Sequence, residues 1–176
     1  MPQHVIVTDY NPCWPKEFEK EKELIAEILG SLCIEIYHIG STSVPGLCAK
    51  PIIDIMPVVK DIDKVDNLAA EFEKIGYEYL GEFGIAGRRY LRKGGDERTH
   101  QIHIFEESNS WDIIRHLAVR DYLRCHPEAS FEYGKLKRKL AEKFPYDIEK
   151  YCDGKDSFVK KLEETAILWK KEEKDK

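Results

Sequence analysis

The sequence lacks paired cysteines, long hydrophobic runs and an excess of positive charge, and each absence excludes a class of protein. No two of its five cysteines form a Cys-x-x-Cys pair, so we expect free buried thiols in a reducing cytosol rather than a cysteine zinc site. No apolar run approaches the roughly 20 residues of a membrane-spanning helix. The first ten residues lack a basic segment followed by an apolar core, which predicts that there is no signal peptide. We therefore expect a cytoplasmic protein with no membrane span.

The charge balance is acidic. The chain has 28 lysines and arginines against 33 aspartates and glutamates, for a net charge of -5 and a pI near 5.7. Domains dedicated to nucleic acid usually carry net positive charge, so a nucleic-acid partner is not expected, although a local basic patch can still bind phosphate. A length of 176 residues with 42% hydrophobic residues suits one domain with a substantial core, and we predict a single domain over residues 1–176.

Hydrophobic periodicity predicts a mixture of strands and helices, followed by helices alone. Strands are predicted at 5–7, 34–39, 52–59, 77–80, 89–93 and 99–105, the last two joined as a hairpin at Gly94-Gly95. Helices are predicted at 16–29, 62–75, 111–124 and 127–143, and a last helix carries Phe158, Leu162, Ala166 and Trp169 on one stripe. This order predicts an α/β or α+β fold, with a mixed-sheet core over about residues 1–108 and a C-terminal helical cap over about residues 109–176.

The strongest candidate site lies between two of the predicted strands. Gly40 allows a ligand to approach the backbone closely, and Ser41, Thr42 and Ser43 supply hydroxyl and N–H groups that suit phosphate oxygens. Asp54 stands within an otherwise apolar strand, where a carboxylate is costly to bury unless it is paired, hydrogen-bonded or bound to a cation. A metal ion bridging Asp54 and a triphosphate would satisfy both groups. An ordinary turn followed by a buried, capping aspartate is the alternative interpretation.

A longer motif resembles a known family. Residues 38–47 (His-Ile-Gly-Ser-Thr-Ser-Val-Pro-Gly-Leu) and 50–55 (Lys-Pro-Ile-Ile-Asp-Ile) are similar to the signature of the GrpB-like (UPF0157) family. Further matches extend over nearly the whole chain, among them Asn11-Pro12, Trp14-Pro15 and Asp153-Gly154-Lys155. The resemblance implies membership of the nucleotidyltransferase superfamily and a polymerase-β-like fold. It implies no settled biochemical activity.

The superfamily pattern that this resemblance implies has a Gly-Ser turn, two acids separated by one residue, and a third acid on a later strand, which together hold two divalent ions. Gly40-Ser41 matches the turn and Asp54 one acid, but Met56 stands at the second acidic position and cannot bind a hard cation such as Mg²⁺. In the later strand, alternation places Gln101 and His103 on one face, and His103 is the better candidate for the position of the third acid. Asp54 and His103 are therefore the candidate catalytic and metal-ligating residues, with Mg²⁺ or Mn²⁺ as the cofactor. A purely structural His103 is the alternative.

Two cations complete the candidate site. Lys50 lies within the motif, and Arg89 belongs to a basic cluster that follows three glycines, so both are candidate phosphate ligands. The alternative for the cluster is a solvated strand edge protected by charge.

Three functions stay open. The first is metal-dependent nucleotidyl transfer to an unknown acceptor. The second is non-catalytic binding of a nucleotide or another phosphorylated small molecule, for which Met56 is the argument. The third is hydrolysis with a single metal at Asp54 and His103. The sequence leaves the oligomeric state open.

Overall fold

Five strands and six α-helices form the secondary structure of residues 3–176, which are the residues that the computed structural model describes. The strands are β1 (Cys33–Ile39), β2 (Ile53–Val59), β3 (Tyr77–Tyr79), β4 (Arg88–Lys93) and β5 (His100–Glu106). The helices are α1 (Trp14–Leu29), α2 (Ile62–Val65), α3 (Ala69–Lys74), α4 (Ser110–Cys125), α5 (Pro127–Lys143) and α6 (Ile148–Lys174). Short 3₁₀ turns cover Gly30–Leu32, Ser41–Ser43 and Asp66–Leu68. The predicted mixed α/β class is confirmed.

The described chain divides into two compact units. The first, here called the sheet unit, contains Cys13–Ile39 and Ile52–Ile113 and holds the five strands. The second, here called the helical unit, contains residues 3–12, Gly40–Pro51 and Ile114–Lys176. The organisation as one domain, with a boundary near residue 108 between sheet core and helical cap, stays a prediction.

In the sheet unit the strands lie in the order β1-β2-β5-β4-β3. β2 and β5 pair in parallel, and the other neighbours are antiparallel. Between β2 and β5, Ile55 pairs with Ile102, and the next pair is Val58 with Phe105. The pairing therefore skips two residues of each strand. Pro57 explains this gap, because proline has no N–H to donate to the ladder. Residues on both faces of β2 are buried, which agrees with its apolar composition.

One face of the sheet is covered by helices. α1 has Pro15 in its first turn, and its buried residues Phe18, Ile25 and Leu29 recur at helical spacing. α1 packs against β1 and β2, and α3 packs against β3. The hydrophobic core of the sheet unit therefore lies between the sheet and these helices.

A buried carboxylate connects α1 to the sheet. Glu21, which is 6% exposed, accepts hydrogen bonds from the Tyr77 hydroxyl and from Lys93 Nζ, both at 2.8 Å. His100 Nε2 lies 3.9 Å from the other oxygen of this carboxylate. Burial, and after it the charge of Glu21, raises the pKa of Tyr77 far above its usual value, so Tyr77 stays a neutral donor. The carboxylate is tolerated there because it is paired and hydrogen-bonded.

Two apolar clusters hold the helical unit together. The first contains Val44, Leu47, Leu123, Tyr133 and Leu162. The second contains Val5, Leu140 and Tyr151. A Cβ placed at Gly154 of α6 would lie only 2.4 Å from Leu140 Cδ2, so the glycine permits α6 to approach α5 closely.

The strand predicted at residues 5–7 is wrong. Within this segment Val5 donates its N–H to the Pro145 carbonyl at 2.8 Å, and the next residue to pair is Thr8, which makes an isolated bridge with Ala49. Val5 is buried in the second cluster of the helical unit. Its β-branched side chain therefore packs against helices and does not belong to a sheet.

The helix predicted over residues 62–75 is interrupted. Asp61 accepts a bond from the Asp63 N–H at 3.1 Å and caps α2, but the 3₁₀ turn Asp66–Leu68 separates α2 from α3. The remaining predicted elements are confirmed to within a few residues at their ends. Among the helices described for residues 3–176, none is long and apolar enough to cross a membrane.

Candidate functional site

Asp54 is the one partly exposed residue of β2, and its side chain is 26% exposed. It pairs with Ile39 of β1 and with Gln101 of β5. Because side chains alternate along a strand, Met56 of β2 and His103 of β5 lie on the same face of the sheet as Asp54. The structure thus brings the two predicted catalytic residues to one face.

Asp54, His103 and Arg88 form a continuous hydrogen-bonded chain. His103 Nε2 lies 3.1 Å from Asp54 Oδ1, and Arg88 Nη1 lies 3.3 Å from His103 Nδ1. A guanidinium has only donors, so Nδ1 accepts the bond from Arg88. The proton of a neutral imidazole then lies on Nε2 and is donated to Asp54. This network assigns the tautomer of His103 and engages both of its nitrogens.

Arg88 is held in place by the loop that precedes β4. It is 8% exposed, and it donates to the carbonyl oxygens of Glu82 at 3.3 Å and Phe83 at 2.9 Å. Its guanidinium carbon lies 4.8 Å from the centre of the Tyr90 ring. Phe83 has a positive φ of 45°, a conformation uncommon for a residue with a bulky side chain. The loop backbone therefore holds the guanidinium of Arg88 in place, and this guanidinium in turn orients the ring of His103.

Tyr90 and Phe83 add aromatic surface next to this chain. The Tyr90 ring centre lies 5.4 Å from that of His103 and 5.2 Å from that of Phe83, which is stacked on it at 15°. Burial raises the pKa of Tyr90. Among the nearby charges Arg98 has the largest effect and lowers this pKa, whereas Asp54 raises it. The Tyr90 hydroxyl is therefore protonated at neutral pH and can donate a hydrogen bond.

The donors at Asp54 do not by themselves fit a two-metal centre. Residues 3–176 contain no group of three or more His, Cys, Asp or Glu side chains placed to hold a metal ion. Met56 is fully buried. A metal at His103 would have to displace either Asp54 or Arg88, because both nitrogens are engaged. No chemical step through a metal ion follows from this arrangement.

The predicted phosphate turn, Gly40 to Ser43, lies in the helical unit. Gly40 has φ 72° and ψ -173°, a conformation that residues with a side chain rarely adopt. The Ser43 hydroxyl and its N–H both donate to the Gly40 carbonyl, so this hydroxyl closes the turn, and Thr42 is buried. Arg124 Nε donates to the Ser43 carbonyl at 2.9 Å. Ser41 is the partly exposed hydroxyl of the turn.

The two predicted cations have other contacts. Lys50 Nζ lies 5.3 Å from the centre of the Tyr151 ring. Arg89 Nε donates to Asp66 at 2.8 Å, and strand alternation puts Arg89 on the face opposite to Arg88. Arg88 belongs to the same basic cluster as Arg89 but is not among the predicted site residues. The antiparallel register of the predicted hairpin, with Tyr90 opposite His103, contained the signal that residues 88 and 103 share a face.

Comparisons with known proteins agree with this fold. A family model described as GrpB protein matches residues 4–165. The UPF0157 protein YqkA of Bacillus subtilis is 47% identical over 162 residues, which cover 92% of this chain and 47% of that protein. This chain therefore spans about half the length of that relative.

The solved structures that are similar to this chain include a relative of high identity and a distant one. The conserved protein GrpB from Enterococcus faecalis is 53% identical, with a TM-score of 0.91 over 93% of this chain and 98% of that one. Cid1 in complex with the UTP analog UMPNPP is 16% identical, with a TM-score of 0.51 over 77% of this chain and 43% of that one. The second likeness shows a shared fold.

Proposed function

The chain belongs to the GrpB family and has a nucleotidyltransferase-like fold, and we propose that it binds a nucleotide or another phosphorylated small molecule at Asp54. The observation that carries the proposal is the chain of hydrogen bonds from Arg88 through His103 to one oxygen of Asp54. The other oxygen has no hydrogen-bond partner among residues 3–176. It is an oriented acceptor for a ligand hydroxyl, such as that of a sugar.

The surroundings of Asp54 suit a ligand with a phosphate and a planar ring. Arg88, Arg92 and Arg98 all lie close enough to act electrostatically on Tyr90, so guanidinium groups that can attract phosphate oxygens stand near this face, with Arg92 also paired with Glu78 at 2.7 Å. Phe83 is 56% exposed although it is aromatic, and an exposed ring stacked on Tyr90 offers a surface for a base. The Cid1 structure, in complex with a UTP analog, makes a nucleoside triphosphate the first ligand to test.

Nucleotidyl transfer is the second candidate function. Asp54 has an open oxygen that could meet a cation brought by a triphosphate, and the fold is that of Cid1. The buried Met56 argues for binding without transfer, since the second acid is missing. In this proposal Mg²⁺ or Mn²⁺ therefore binds only together with the nucleotide. Hydrolysis with a single metal is less favoured, because Arg88 occupies His103 Nδ1.

Thermal-shift titrations with UTP and ATP, in EDTA and in Mn²⁺, test the proposal. A ligand that binds the folded protein raises its melting temperature, so we expect a rise in EDTA with at least one of the two. Asp54→Asn should weaken the apparent affinity about tenfold, as expected for loss of a hydrogen bond to a charged group. Asp96→Asn, an exposed carboxylate in the turn between β4 and β5, is the matched control and should behave like the wild type.

Two outcomes would contradict this proposal. One is the absence of any shift with either nucleotide at about 10 mM, far above the dissociation constants of specific sites. The other is an equal shift in Asp54→Asn and the wild type. Pyrophosphate release that requires both Mn²⁺ and Asp54 would instead support nucleotidyl transfer. Ser41→Ala tests separately whether the turn in the helical unit contributes to phosphate binding.

We also propose a cytoplasmic location. All five cysteines are free thiols, which agrees with a reducing compartment. Only Cys48 is buried, so the expectation of buried thiols is wrong for the other four. Localisation of a tagged chain by cell fractionation tests this directly.

A further inference from the structure

The helical unit contains a cleft of about 680 Å³ that the function proposed above does not use. Its lining comes from Asp9-Tyr10, from the segment between Pro45 and Cys48, from the end of α4, and from α5 as far as Arg138. All of these segments belong to the helical unit, so the cleft is complete within it. Its volume falls in the range of about 300–1,000 Å³ that is typical of small-molecule pockets.

The cleft carries an excess of positive charge. Arg124, Lys135 and Arg138 line it, and Asp9 is the one carboxylate in the lining. Arg138 forms an ion pair with Asp9, and Lys135 Nζ lies 3.0 Å from Glu132. These two cations therefore have nearby acidic partners, and the excess charge resides on Arg124.

Arg124 makes one hydrogen bond and keeps its two terminal amino groups available as donors. Its Nε donates to the Ser43 carbonyl at 2.9 Å, and its two terminal amino groups have no hydrogen-bond partner among residues 3–176. Partial burial lowers the pKa of Arg124, and the charge of Arg120 lowers it further. A guanidinium with paired, unused donors matches the oxygens of a phosphate group.

The cleft also offers a ring-stacking surface. Phe131 of α5 lines it and is 64% exposed. Lys135 Nζ lies 5.0 Å from the centre of the Phe131 ring. The buried side chains of Leu47 and Leu123 supply apolar lining. An exposed aromatic ring beside cations and apolar walls suits a ligand that joins an aromatic ring to a phosphate.

We propose that this cleft binds a phosphorylated small molecule that carries an aromatic ring, with the phosphate on Arg124 and the ring against Phe131. The site is formed by residues of the helical unit alone and is separate in composition from the Asp54, His103 and Arg88 chain. It can therefore exist whether or not a nucleotide binds at Asp54.

Amide NMR titrations of the full chain with AMP, ribose 5-phosphate and adenosine test this inference. The amides of Gly46 and Gly134, both in the lining, report binding in the cleft. AMP should shift these signals and bind about tenfold more tightly than either fragment, because each fragment lacks one of the two contacts. Arg124→Gln should weaken AMP and ribose 5-phosphate about tenfold.

Three other variants complete the test, one that separates the two contacts and two that serve as controls. Phe131→Ala removes an exposed ring, so it should leave the fold intact and weaken AMP without affecting ribose 5-phosphate. Lys160→Gln, an exposed cation on α6 paired with Asp156, is the matched control and should leave all affinities unchanged. Asp54→Asn should also leave AMP binding in the cleft unchanged, which keeps this test distinct from that of the function proposed above.

The inference is overturned if AMP at about 10 mM leaves the Gly46 and Gly134 amides unshifted. It is equally overturned if Arg124→Gln or Phe131→Ala binds AMP as the wild type does. The spectrum of each variant shows at the same time whether it is folded, so a failure to fold is not read as a loss of binding.

Discussion

Met56→Asp tests whether β2 can hold the second acid of a two-metal centre. Met56 lies two residues beyond Asp54 on the same face of the strand. The two positions differ in solvation, since the Asp54 side chain is 26% exposed and bonded to His103, whereas Met56 is fully buried. A carboxylate introduced at position 56 would therefore lose its water, and its expected effect is on folding rather than on metal binding.

The expected cost has two parts. Shortening a buried methionine costs about 2–5 kcal/mol through lost contacts and a cavity. Keeping the introduced carboxyl group neutral at pH 7 means protonating it about three units above its ordinary pKa of 3.9, which adds about 4 kcal/mol. The sum of about 6–9 kcal/mol is comparable with the whole stability of a domain, about 5–15 kcal/mol. The variant should be strongly destabilised or unfolded at pH 7.

The sign of the pH dependence is part of the prediction. A carboxyl group with a raised pKa in the folded state binds a proton that the unfolded state releases, so stability falls as the pH rises. Between pH 7 and pH 5 the variant should regain about 2.7 kcal/mol relative to a neutral counterpart. Met56→Asn is that counterpart, because it makes a similar cavity without an ionisable group.

Urea unfolding at pH 5 and pH 7, with and without Mn²⁺, measures these quantities. Met56→Leu conserves volume and should cost less than about 1.5 kcal/mol. The reasoning is refuted if Met56→Asp is as stable as Met56→Leu at pH 7. It is also refuted if Mn²⁺ stabilises Met56→Asp more than the wild type, since that difference would reveal a preformed pair of metal-binding acids.

Three further predictions concern stability and are also measured by urea unfolding. Tyr77→Phe should lower the free energy of unfolding by about 1.5–3 kcal/mol, because its hydroxyl donates to a buried carboxylate. Tyr151→Phe should cost nothing, because that buried hydroxyl has no hydrogen-bond partner among the described residues; equal losses in the two variants would contradict this contrast. Gly154→Ala should destabilise the protein by about 1–2 kcal/mol, because the new Cβ would lie 2.4 Å from Leu140. The cost of this overpacking exceeds the gain of about 1 kcal/mol in helix propensity. A more stable variant would show that the helices can move apart. Burial lowers the pKa of His100 from 6.5, so the unfolded state takes up its proton first and stability should fall as the pH drops below about 6.5; an unchanged slope in His100→Gln would oppose this.

Elements with a strong local pattern were predictable from the sequence. The continuous apolar run of β2 and the stripe of α1 needed no knowledge of distant residues. The failed strand at residues 5–7 shows the limit of such reasoning. β-branched residues favour extended structure, but a strand also needs a neighbouring strand, and Val5 instead meets Leu140 and Tyr151 of the helical unit.

The candidate site was predictable only where strand parity sufficed. Parity put Gln101 and His103 on one face of their strand, and the superfamily pattern made His103 the candidate partner of Asp54. The structure joins Asp54 and His103 at 3.1 Å, although their role stays a prediction. The hairpin register also puts Arg88 on the face of His103, but the position of its guanidinium group depends on carbonyl oxygens of the loop at Glu82 and Phe83. The cleft of the helical unit was out of reach, since its lining combines segments far apart in the chain.

The direction of the hydrogen bonds decides what Asp54 can do. Arg88 can only donate, so His103 must donate in turn to Asp54, and this carboxylate is left with one oxygen fixed and one oxygen open. The open oxygen accepts a ligand hydroxyl equally well in a binding protein and in a transferase. The two proposed functions therefore use the same atom. They differ only in whether the ligand can itself hold the divalent cation that a second acid would have bound. Because position 56 is apolar and buried, the groups that hold this cation in place of a second acid would have to come entirely from the ligand. This is why binding without transfer is the function that the arrangement favours.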